Sequence, residues 1–298
     1  MPQRPVLKAR RVQFALPTGT RKHFAGDDLV MSHLVAMLSA VFPEGEDFFI
    51  RSVRNYRDQI TDPELQQAVK GFIAQEATHR QQHRMLNDRL QDMGYPTARF
   101  DRHVTWLLAK LEKVFSTEMA LAGTAALEHY TATLAELLLT DDEMLDLLGR
   151  SDVRPILLWH AFEECEHKAV AFDVFRAVGG TERTRVRAMR IATVIFLTEM
   201  VIQTLRSMAR DRASYNPRRL LRSLNDFRKS PLVSAETRRR IASYTRPSFH
   251  PDDWDTTELL DHWSKELFDA DGNQLVQARP VSCRGDVKAP DTPGVRGL

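Results

Sequence analysis

Glu76-Ala-Thr-His79 and Glu164-Cys-Glu-His167 are two Glu-x-x-His pairs in helical sequence, and each follows a lone glutamate, Glu46 by 30 residues and Glu128 by 36. Three residues turn an α-helix by about 300°, so the Glu and His of each pair share a face, one turn apart. Four carboxylates and two imidazoles converging inside a helical bundle make the ligand set of a two-metal carboxylate centre, of iron or manganese. A single Glu-x-x-His says little, because both residues are common on solvated helix faces. Two pairs, each with a lone Glu at matching distance, point to a metal site.

The register supports that reading. In an antiparallel helix hairpin, residues equidistant from the turn lie level. With the first turn near Asp62, Glu46 and Glu76 differ in height by roughly 3 Å at 1.5 Å per residue. The midpoint of Glu128 and Glu164 is Asp146, inside a polar stretch from Thr140 to Asp152. The flanking Phe48, Phe49, Phe72, Ile73, Leu127, Trp159 and Phe162 imply burial, where carboxylates are costly unless paired or bound to metal. On the first helix Glu44 competes with Glu46, but it sits beside Pro43 and Gly45, so Glu46 is preferred. His83 and His160 lie one turn from His79 and Glu164 and are possible additional ligands or proton donors, although packing or surface roles suit them better. Cys165 reads as a small core residue.

Strand-like alternation is nearly absent, and the expected class is all-α. Residues 1–27 read as an irregular arm and 28–180 as a four-helix bundle holding the site. Residues 181–268 form a helical extension, and 269–298 a disordered tail. Pro43 predicts a kink or a fresh helix start. One helix is expected from Asp152 to Gly179. From Gly94 to His103 the link is short for a crossover along the bundle, so 104–112 is expected to be a separate helical piece. The apolar run from Ile191 to Leu205 is interrupted by Glu199 and reads as a helix buried on the bundle or in a dimer interface, with a hydrophobic substrate channel or a membrane-surface patch as the alternative.

Composition narrows the classes. The chain has 298 residues, 43% of them hydrophobic, with 42 basic and 40 acidic residues for a net charge of +2. That balance argues against nucleic acid as a partner. Basic clusters such as Lys8-Ala-Arg-Arg11 are expected on the solvated surface. Two cysteines, Cys165 and Cys283, and an N-terminus without an apolar run fit a reducing cytoplasm.

With the six residues in place, the chain resembles the ferritin-like di-iron carboxylate proteins. The resemblance implies Glu76 and Glu164 as bridging carboxylates, Glu46 and Glu128 as terminal ligands, and His79 and His167 as the imidazoles. It also implies that Glu163 orients His79 and that Gln75, where relatives carry an acid, orients His167 through its carbonyl oxygen. A closer similarity covers roughly residues 10–265. Phe42-Pro43-Glu44-Gly45-Glu46-Asp47-Phe48-Phe49, Gln75 to His79, Trp159-His160 with Glu163 to Lys168, and Pro247 to Pro251 look like a bacterial family labelled "predicted metal-dependent hydrolase". A carboxylate-rich site with one His per metal suits iron and O₂. The leading expectation is therefore a non-haem di-iron oxidase or oxygenase with two iron ions, O₂, an external electron donor and a small hydrophobic substrate. The alternatives are a two-metal hydrolase with manganese or zinc, and an iron storage or sensing protein. A homodimer and contact with a membrane surface complete the expectations.

Overall fold

Asp28 caps the first helix through its carboxylate, which accepts from the Met31 amide, and α1 then runs from Leu29 to Arg54. It does not restart at Pro43 but runs through it. Proline has no N–H, so the carbonyl of Ser39, four residues earlier, loses its helical partner. The side-chain amide of Asn87 takes that place, donating to the Ser39 carbonyl at 3.0 Å. Asn87 lies on α2 (Pro63–Asp92), which starts with Asp62 as cap and Pro63 in its first turn.

The computed structural model describes residues 7–16, 19–149, 151–269 and 272–275. Among them the chain is all helical, with one isolated antiparallel bridge between Phe268 and Gln274. Cys283 and most of the expected disordered tail lie outside the described residues.

The link after α2 holds α3 (Thr97–Val114), which packs on α1 and α2. A break at Phe115 and Ser116 then starts α4 (Thr117–Thr140), with Ser116 as cap. The expected separate piece therefore exists and is longer than 104–112. The polar stretch holds α5 (Asp142–Leu148). The helix expected from Asp152 to Gly179 is two, α6 (Arg154–His167) and α7 (Val170–Ala177), separated directly after His167. Then follow α8 (Glu182–Met208), α9 (Pro217–Lys229), α10 (Ala235–Ser243) and α11 (Thr257–Leu267).

Four helical segments close a ring. α1 touches α2, α2 touches α6 and α7, these touch α4, and α4 touches α1. Two apolar cores fill opposite ends of it. One gathers Phe48, Val53, Leu65, Phe72, Leu121 and Phe175, and the other Met37, Leu86, Leu90, Leu139, Ile156 and Trp159. α8 lies outside the ring against α4 and α1. Its other face is not buried on the bundle: Val194, Leu197, Val201 and Leu205 are exposed in the single chain. By length and composition alone α8 passes as a membrane span.

Candidate metal centre

Between the two apolar cores lies a polar layer. Glu46 from α1, Glu76 and His79 from α2, Glu128 from α4, and Glu164 and His167 from α6 are all buried there. The structure thus brings all six predicted residues together. Nε2 of His167 stands 3.1 Å from Glu76, 3.4 Å from Glu128 and 3.6 Å from Glu164. Nδ1 of His79 stands 3.8 Å from the other oxygen of Glu164. Among the described residues four groups of ligand atoms form here within 4.8 Å: Glu46, Glu76 and His79; Glu76, Glu128 and His167; His79, His160 and Glu164; and Glu46, His83 and His160. Glu76 belongs to the first two, and Glu164 faces His79 and His167. Glu44 turns away to Arg84 at 3.0 Å.

Hydrogen-bond accounting separates this layer from an ordinary buried ion cluster. Both oxygens of Glu46, Glu76 and Glu128, one of Glu164, Nδ1 of His79 and Nε2 of His167 are buried with no hydrogen-bond partner. Buried polar atoms are normally paired, and each unpaired one costs about 1–3 kcal/mol. The trio His23, His33 and Asp211 is a useful contrast. It has ligand-type residues at similar range, yet Asp211 already receives His23 at 2.9 Å, His33 at 3.1 Å and Lys22 at 3.2 Å. A cation there would meet the Lys22 ammonium, and no ring nitrogen of His33 is left over, since Nδ1 meets Ser207 at 2.7 Å. The polar layer has the donors free; the trio has spent them.

Electrostatics follows from the crowding. Burial, then repulsion from Glu76, Glu164 and Glu128, raises the Glu46 carboxyl well above its ordinary range. Burial likewise raises Glu76 to about 8 and, with repulsion from Glu164, Glu128 to about 7. Burial works against charge on Glu164 and His167 too, but their mutual attraction wins, so Glu164 is lowered and His167 raised. Burial, with His160 nearby, keeps His79 neutral.

The histidines are held from behind. His79 donates from Nε2 to Glu163 at 3.0 Å, which leaves the lone pair on Nδ1 facing the layer. His167 donates from Nδ1 to the carbonyl oxygen of Gln75 at 3.1 Å, which turns Nε2 inward. Gln75 can accept there because its amide nitrogen donates to Glu166 at 2.8 Å. One residue joins both supports. Arg10 reaches Glu163 at 3.0 Å and forks onto Glu166 at 2.6 and 2.7 Å. Its guanidinium also lies over the rings of Phe162 and Phe268. The cluster Lys8 to Arg11 is therefore not all solvated surface, as the sequence reading had it. Leu7 and Phe14 seat the strap on α2 and on Trp159, and Gly71 permits it: a Cβ there would meet Leu7 Cβ at 2.4 Å. Nothing in the local sequence marked Arg10, because its partners are more than 150 residues away.

His160 and His83 join the layer from its edge. Nε2 of His160 is 2.7 Å from Glu164 and 3.9 Å from Glu46. Nδ1 of His160 meets Nε2 of His83 at 2.6 Å, and Nδ1 of His83 meets Ser39 at 2.9 Å. The proton direction can be read from the far end. Asn87 spends its amide on the carbonyl freed by Pro43, so its oxygen accepts from Ser39 at 2.7 Å. Ser39 must then accept from His83, and His83 from His160. Nε2 of His160 is left to face the carboxylates. Two other candidates are inert: His129 donates to the Arg240 carbonyl at 3.0 Å, and burial pushes the Cys165 thiol up to about 12.

A family model described as "Predicted metal-dependent hydrolase" matches residues 8–255. No curated protein and no solved structure matches the chain. The match corrects the leading expectation from sequence. The family is described as hydrolytic, and nothing in it indicates an O₂-dependent oxidase. The preference for oxidation rested on the donor set alone, and the same donors serve hydrolytic pairs of cations.

Proposed function

The chain belongs to the "Predicted metal-dependent hydrolase" family, and on that premise we propose that it cleaves an ester bond with water at a pair of divalent cations. The observation that carries the reading is the set of nine buried ligand atoms on six residues that lack a hydrogen-bond partner and face one another. Four carboxylates are too costly to leave so without cations to offset them. Glu46 and His79 would serve one cation and Glu128 and His167 the other, with Glu76 and Glu164 between them. Carboxylate oxygens with one imidazole per cation suit manganese or iron, with zinc as the third candidate. The closed ring of four segments, two bearing a lone Glu and two a Glu-x-x-His, supports a ferritin-like bundle as part of the same proposal.

When bound, such cations lower the pKa of a water toward neutrality and polarise the oxygen of the bond under attack. The chain's own residues do the rest. Glu163 and Gln75 hold the two histidines in ligating tautomers. The paired apolar cores keep bulk water from the layer. With its Nδ1–H given to His83, His160 turns Nε2 toward the layer, 2.7 Å from Glu164. In the neutral ring that nitrogen carries a lone pair and would accept the proton leaving the attacking water, then return it to the departing alkoxide, while His83 and Ser39 fix the ring.

The test is metal analysis of protein grown with manganese, iron or zinc, followed by anaerobic assay on carboxylic and phosphate esters. Two cations per chain are expected, with cleavage that chelation abolishes and the cation restores. Glu76→Ala and Glu164→Ala should lose both metal and activity. Protein that holds two cations yet cleaves neither ester class would sink the reading.

A further inference from the structure

Glu46 faces two ways: it belongs to the metal layer and it also lines a cavity outside the ring, bounded by α1, α3, α4 and α8. The empty space there is about 1230 Å³, open mouth included. Leu38, Phe42, Phe49, Val104, Leu108 and Phe196 are among its walls. Most other polar groups on the lining are already engaged. Glu112 is held by Arg51 at 2.9 Å, Glu199 by His103 at 3.0 Å, and the Tyr130 hydroxyl donates to Thr193. Glu46 is 1% exposed, and both its oxygens are unpaired.

We propose that this cavity binds a long apolar acyl or alkyl chain of the substrate, with the cleavable head of the molecule at Glu46. The proposal rests on the hydrolase reading for the fate of the head, though not for binding of the chain. Three observations select the occupant. The walls offer almost nothing for a sugar or a nucleotide base to hydrogen-bond. The lining carries no Lys, Arg or His to meet a phosphate, and its Glu112 and Glu199 are already held by Arg51 and His103, so a neutral carboxylic ester fits better than a phosphoester. Gly45 and Gly123 stand on the lining within helices, and a Cβ at either would meet no atom within 4 Å. Alanine would favour those helices by about 1 kcal/mol each. Glycine there leaves room in the cavity and serves no turn or close contact.

Displacement of a fluorescent fatty acid, cis-parinaric acid, from full-length protein as purified tests this. The competitors are saturated primary alcohols of six to twelve carbons. Each added methylene should tighten competition about fourfold until the chain fills the space. Gly123→Phe should weaken it at least tenfold while the unfolding midpoint stays at or above that of the parent. Gly45→Leu is the second variant, should the first fail to fold. Competition that ignores chain length, or is unchanged in the folded variants, overturns the proposal. Because the alcohols hold no bond to hydrolyse, length-dependent binding in a protein that cleaves no ester would leave the chain site standing and sink only the hydrolase reading. Ester cleavage without chain binding would do the reverse.

Discussion

At the scale of single residues, the centre is a problem in charge. Glu76, raised to about 8, holds a proton at neutral pH, burial and the neighbouring carboxylates also push Glu46 well above its ordinary range, and the attraction of Glu164 raises His167. Ligands must be deprotonated to bind a cation. Metal uptake should therefore release protons, and affinity should rise as pH climbs from 6 to 8, because protons stop competing. Calorimetric titration with Mn²⁺ in two buffers of different ionisation enthalpy reads the release, and a value of zero at pH 7 would contradict this account. His160 carries the second prediction at this scale. His160→Gln should keep two cations and lose about 10²–10⁴-fold in kcat. A fall from two cations to one would make it a ligand instead of a proton carrier.

At the scale of elements, two long-range links matter. The N-terminal strap sends Arg10 to Glu163 and Glu166, and so to both histidines. Arg10→Ala should weaken metal affinity about 10–100-fold with the fold intact, the usual cost of losing an outer support. Arg10→Lys should rescue little, since an ammonium cannot fork onto two carboxylates. The other link is Asn87 on the carbonyl that Pro43 leaves open. Asn87→Leu should cost about 1–3 kcal/mol by orphaning that carbonyl. Adding Pro43→Ala restores a helical N–H at that position and should recover much of the loss, which a double-mutant cycle in urea would show.

Across the whole molecule, acid stability depends on a cluster far from the centre. His33 is buried against Asp211 and Ser207, with His23 and Lys22 adjoining, and burial lowers it to about 4. The unfolded chain takes up a proton near the ordinary 6.5, before the folded protein does. Stability is thus present above pH 6.5 and is lost as pH falls toward 4, by on the order of 2 kcal/mol. Urea unfolding at pH 7 and pH 5 should show the loss, and His33→Asn should reduce it, the rest falling to the buried His79, His83 and His129. An unchanged slope in that variant would assign the loss elsewhere.

Much of the site was legible because helices convert spacing into direction. Glu76 with His79, and Glu164 with His167, had to share faces, and hairpin arithmetic brought Glu46 and Glu128 level with them. The helical class followed equally from periodicity. Helix ends were less legible, since continuity at Pro43 depends on an amide 44 residues away, and no local rule reveals it. Arg10 was beyond reach for the same reason, and so were the hydrogen bonds that join His160 to His83 and Ser39, although both histidines could be named as possible ligands or proton donors. Choosing oxidation over hydrolysis from donor types was an error of another kind, because donors define which cations bind and not what they act on. The sequence by itself determined the donors and their register, as both are set by residue type and a 1.5 Å rise. Only the tertiary structure decided what surrounds them: which atoms stay unpaired, which way the protons point, and that Glu46 opens onto an apolar cavity. Those properties arise from groups distant in the chain, whose meeting is a matter of packing.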